Sequence, residues 1–147
     1  MVVRSGTSVY AFALADVVET FRPLPTTLLS HAPPFILGAA IVRGRATPVV
    51  DLARLLEVHA SGVPTRFVTL RLGARRVALA VEAVVGIRTL GNQAPEALPP
   101  LLSNAPAAIE QLATLDGELL HLMNAARLVP ESLWPLLETA APAPHGG

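Results

Sequence analysis

The chain has 147 residues, 11 of them basic and 11 acidic, and no cysteine. Zero formal charge and a 15% charged fraction exclude the clustered cations on which nucleic-acid affinity rests, and the lack of cysteine excludes disulfides and thiolate metal sites. The longest apolar run, Phe35 to Val42, is far shorter than the ~18 residues of a membrane-spanning helix, so no direct membrane insertion is expected.

Just over half of the residues are hydrophobic. Such a chain either buries its strands on both faces or keeps an apolar surface for partners. The 14 prolines disfavour a bundle of long helices, and no leader-like charged head precedes a long apolar run at the N-terminus.

Val2-Val3-Arg4 runs into a turn at Ser5-Gly6-Thr7. Tyr10 to Leu14 then alternates large residues with alanine, which predicts a half-buried strand. Asp16 to Arg22 continues as a second β-rich run. Pro23 to Pro34 predicts a surface loop. Gly38 to Leu56 follows as an apolar strand, an Arg43-Gly44-Arg45 turn and a second strand, Thr47 to Val50. Asp51 stands where its carboxylate caps a short helix over Leu52 to Leu56.

The second half repeats this plan. At an offset of 67, Arg71, Gly73, Val77 to Val81 and Val84-Val85 match Arg4, Gly6, Tyr10 to Leu14 and Val17-Val18. At an offset of 73, Gly117, Asn124 and Arg127-Leu128 match Gly44, Asp51 and Arg54-Leu55. The six-residue growth places an insertion in the second half, at the Pro-rich stretch Gly91 to Pro106. Several short strands and one helical turn per half read as two small barrels that must pack on each other to bury enough surface.

The full strand Arg66 to Leu72 has only a shortened counterpart at the N-terminus, which predicts a short edge strand open to water or a partner. Pro130 to Leu137 predicts a short C-terminal helix packed down by Trp134, and residues 140–147 a disordered tail.

No catalytic constellation emerges. The histidines His31, His59, His121 and His145 lack metal spacing, and no pair of carboxylates suits acid–base work. Arg43-Gly44-Arg45 could hold a phosphate, but it reads more simply as a turn with two exposed guanidiniums. Neither an enzyme nor a cofactor is implied.

Gly38, Arg43, Gly44, Pro48, Val49, Asp51 and Leu52 stand where CheW-like domains carry Gly-x-x-Asn-Leu-Arg-Gly and Pro-Val-x-Asp-Leu. Tyr10-Ala11-Phe12, Val17-Val18-Glu19 and Leu112 to Leu128 resemble the opening and closing segments of the same family. The chain thus resembles the CheW-like domains of bacterial chemosensory systems from about Val2 to Val129. The resemblance implies an all-β fold of two intertwined, SH3-like, five-stranded β-barrels with short helical turns. It places one domain over residues 1–139, with sub-barrels near 1–60 and 61–129 that can exchange strands.

It also implies a cytoplasmic, receptor-associated, non-catalytic adaptor. The expected partners are the cytoplasmic tip of a methyl-accepting chemoreceptor, docked between the barrels, and the regulatory domain of a CheA-type histidine kinase. Val17, Glu19, Arg43 and Gly44 map to partner-contacting segments, although Val17 reads equally well as core and Gly44 as a turn glycine. Asp51 and Asn124 are read as structural caps. Three departures stand out: Ile41 for the motif's Asn, Asn124 for a late Asp, and the shortened first strand. They imply an adaptor that keeps receptor binding while binding the kinase weakly or not at all. The alternative is an SH3-like barrel that binds a small ligand or nucleic acid. Four Phe, one Tyr and one Trp offer few stacking platforms for the latter.

Overall fold

The computed structural model describes residues 1–56, 62–89, 96–97, 108–135 and 137. The proposed insertion at Gly91 to Pro106 falls largely outside them, and the tail at 140–147 entirely so.

In chain order the strands are β1 (Val2–Ser5), β2 (Ser8–Ala11), β3 (Val17–Phe21), β4 (Ile36–Val42) and β5 (Arg45–Asp51). The helix α1 (Leu52–Leu55) closes the first half. Then come β6 (Arg66–Leu72), β7 (Arg75–Val81), β8 (Ala83–Gly86), the two-residue β9 (Glu96–Ala97), β10 (Ile109–Leu115) and β11 (Glu118–Met123). Short 3-10 turns cover Leu14–Asp16, Ala125–Arg127 and Glu131–Leu133. The last of these stands where the C-terminal helix is expected, and Trp134 beside it is buried.

The strands form two sheets, ordered β8-β1-β2-β11-β10-β9 and β3-β6-β7-β5-β4. By the repeat, β6, β7, β8, β10 and β11 correspond to β1, β2, β3, β4 and β5. Leaving β9 aside, the two sheets therefore have the same order, and each combines the first two strands of one half with the last three of the other. The halves are joined in each sheet by one parallel pair, β11–β2 or β5–β7, and one antiparallel pair, β1–β8 or β3–β6. The fold is all-β, two intertwined five-stranded barrels.

This exchange overturns the expectation for the N-terminal strand. β1 is short, but it is not an edge, because β2 pairs on one side and β8 on the other. Val2, Val3 and Ser5 are buried accordingly. The strand that fills its second flank comes from the other half, which a comparison of the halves in isolation does not reveal. Strand β2 also stops earlier than the alternation suggests, and Leu14 stands exposed in the following turn.

Burial on both faces explains the hydrophobic content. On β7, Val77, Leu79 and Val81 join a core shared by both sheets, while Ala78 and Ala80 point into one barrel with Val49 and Phe67. On β1, Val3 faces the shared core and Val2 the other barrel, beside Val9 and Leu120. Small alanines suit the tight barrel interior, and the larger residues fill the space between barrels. Across the β2–β11 joint, Tyr10 stacks on His121 with ring centroids 4.9 Å apart. His121 Nδ1 lies 3.0 Å from the Val9 carbonyl, a core role rather than a ligand's. Burial pushes the Tyr10 phenol above its ordinary pKa, against an opposing hydrogen bond with Ser8.

One polar atom breaks the pattern. Thr69 is buried on the barrel face of β6, and its hydroxyl has no hydrogen-bond partner among the described residues. Its counterpart in the repeat is Val2. Because an unpaired buried hydroxyl costs about 1–3 kcal/mol, Thr69→Val is expected to raise stability by about 1 kcal/mol, read as a higher midpoint in chemical unfolding. A lower midpoint would show that the hydroxyl is satisfied.

Candidate functional site

The β4–β5 connection is a two-residue hairpin, with Val42 paired to Arg45 and both loop residues at positive φ, Arg43 at 52° and Gly44 at 77°. That is the type I′ geometry, whose twist matches the flanking strands. The copy repeats it with Asp116 at 51° and Gly117 at 80°. The turn is therefore scaffold, as is Gly44, around whose α-carbon an added Cβ would meet nothing within 4 Å. What the turn presents is specific to the first half. Arg43 Nε donates to the Glu19 carboxylate at 3.1 Å and 3.3 Å.

This ion pair explains how two of the sequence-predicted residues come together. β3 and β4 lie at opposite edges of the five-stranded sheet, so Glu19 reaches Arg43 only because the sheet curls until its edges meet. At the equivalent place in the other barrel stand Gly86 and Asp116, which cannot form such a pair. The Arg43 side chain is 73% exposed and that of Glu19 27%, so the pair contributes only about 0.2–1 kcal/mol to stability. It leaves a fixed guanidinium at the rim. Ile41, 63% exposed, stands near it on β4. Val17 lies partly against the shared core, close to this rim along β3 but not in contact with Arg43 in the described hydrogen bonds.

Asp51 and Asn124 are the caps the sequence implies. The Asp51 Oδ1 accepts from the Arg54 amide at 3.2 Å, and the Asn124 Oδ1 from the Ala126 amide at 3.0 Å. Arg54 also pairs with Asp51 at 3.8 Å. These contacts occupy the two side chains within the fold.

A second feature was not legible from motifs. Met1 and Val2, the segment Ala11 to Leu14, Ile87 to Thr89, and Leu120, Leu122 and Met123 line a groove of about 450 Å³. Leu14 is 51% exposed and Ile87 61%. Arg88 is the one charged side chain in the lining. Both halves of the chain build this groove. It sits where the Leu14–Asp16 turn carries the chain from the six-stranded sheet to the five-stranded one. The signal in the sequence was the position of Leu14 three residues beyond the end of β2 and of Ile87 one residue beyond the end of β8, where an alternating pattern gives no hint of exposure.

A family model described as a CheW-like domain matches residues 1–132. The chemotaxis protein CheW of Rhizobium meliloti strain 1021 is 27% identical over 130 residues, covering 86% of this chain and 84% of that protein. A probable chemotaxis protein CheW of Rhizobium etli is 26% identical over 132 residues, covering 88% and 85%. Among solved structures, the scaffolding protein TtCheW from Thermoanaerobacter tengcongensis superposes with a TM-score of 0.79 at 23% identity. That match covers 88% of this chain and 90% of TtCheW and establishes likeness of fold.

Proposed function

The chain belongs to the CheW-like domain family, and from that membership we propose that it is a non-catalytic adaptor of a bacterial chemosensory complex. Its groove takes the helical hairpin tip of a chemoreceptor, and the Arg43–Glu19 rim meets a second partner, the regulatory domain of a histidine kinase. The observation that carries the reading is the apolar groove with Leu14 and Ile87 on its rim. An amphipathic helix docks on such a surface by burying its apolar face, with affinity concentrated in a few central anchors. Little charge lines the groove, as that mode of docking requires. The kinase contact is proposed to be the weaker of the two, because exposed Ile41 replaces a polar Asn beside Arg43.

Titration of the purified chain, separately with a receptor signalling-tip fragment and with the kinase regulatory domain, tests this. Tip binding with weaker or no kinase binding supports it. Binding to neither overturns the adaptor reading, and equal, tight binding to both overturns the specialised form of it. Arg43→Ala is expected to weaken the rim contact about tenfold, equivalent to about 1.4 kcal/mol. The same change should shift the melting temperature by no more than about 3 °C. A larger thermal loss would make Arg43 a folding residue instead.

A further inference from the structure

We propose that the mouth of the five-stranded barrel binds a small oxyanion, a carboxylate or phosphate, between the guanidiniums of Arg45, Arg71 and Arg76. The duplication supplies the reason. In the six-stranded sheet, Arg4 on β1 reaches over β2 to Glu118 on β11 at 3.2 Å. The counterpart of Arg4 is Arg71, and that of Glu118 is Arg45. The strand between them, β7, carries Arg76 directly opposite Arg71.

Parallel pairing of β5 with β7 sets Val49 beside Ala78, so Arg45 and Arg76 fall on the face those two residues share. Arg71 lies on that face too, in step with Phe67. Where one barrel has a cation and a carboxylate, the other has three cations. None of the three forms an ion pair among the described residues. Like charges placed opposite one another destabilise a sheet, and a bound anion removes that cost.

On the same face as Arg71, Thr69 holds its unpartnered hydroxyl where the other barrel has Val2. Arg75 belongs to the opposite face of β7, where Glu131 holds it at 2.8 Å and it lies 4.8 Å over the Trp134 ring, so it takes no part in the cluster.

Thermal unfolding with pyrophosphate, citrate or sodium chloride at equal ionic strength tests the site. The wild type is expected to melt higher with pyrophosphate or citrate than with chloride, in a saturable way. Whichever anion is tighter identifies the class.

Arg45→Glu, which recreates the ion pair of the other barrel, is expected to raise the melting temperature without ligand and to weaken anion binding at least tenfold. Arg76→Gln should weaken binding similarly and keeps the test decisive if Arg45→Glu fails to fold. No anion-specific shift in the wild type, or an undiminished shift in the variants, overturns the proposal. Receptor-tip binding by Arg45→Glu should be unchanged, so this site and the adaptor function can fail separately.

Discussion

Replacing Gly38 by alanine is expected to cost about 3–5 kcal/mol of stability, a large part of what a domain of this size has. Gly38 has φ of +140°, which side-chain-bearing residues rarely adopt, and a Cβ there would stand 2.4 Å from the Thr27 carbonyl oxygen and 2.8 Å from its carbon. The clash is with backbone that is itself anchored. Thr27 and Ala39 exchange both of their N–H···O bonds, each at 2.8 Å, tying the Pro-rich loop to β4. Relief would therefore break that bridge.

The repeat separates this cause from the bulge that Gly38 occupies. β10 has a bulge at the equivalent place, with Gln111 where β4 has Gly38. A bulge alone thus tolerates a side chain, and the approach of Thr27 is what demands glycine. Gly44→Ala, at positive φ but with open space around it, should cost only about 1–2 kcal/mol. Urea denaturation of both variants checks the contrast, and equal losses would contradict it.

The second large effect belongs to the groove. Leu14→Asp combined with Ile87→Asp is expected to weaken receptor-tip binding at least a hundredfold. Each aliphatic side chain buried on docking contributes about 1.5–3 kcal/mol, and a carboxylate in its place must be desolvated without a partner. Both residues are more than half exposed in the free protein, so the folded state should keep its melting temperature within a few degrees. Isothermal titration with the tip fragment, beside a melting curve, separates lost docking from lost folding. Retained affinity would move the receptor to another surface.

Much of this fold could be read from paired positions. Gly6 and Gly73, at φ of 63° and 68°, turn equivalent hairpins, and the Asp51 and Asn124 caps sit one offset apart because both halves need the same first helical turn. Strand exchange was not legible in the residues themselves. Each half presents the same pattern to a neighbour from its own half or from the other, so local sequence is neutral between the two pairings. The misread edge at β1 has that origin. Glu19 and Arg43 were each indicated by the family pattern, but their contact depends on barrel closure, which no spacing along the chain encodes. The groove residues are missed for a related reason. Leu14 and Ile87 continue apolar runs, and only the packing of the halves decides that these two are left uncovered.

The most direct test of the adaptor account is a map of backbone amide shifts as a receptor signalling-tip fragment is added to the full chain. The account predicts saturable changes clustered at Ala11 to Leu14, Ile87 to Thr89 and Leu120, Leu122 and Met123, with Arg45, Arg71 and Arg76 unaffected. Changes centred elsewhere, or none at a concentration well above that of the protein, would contradict it.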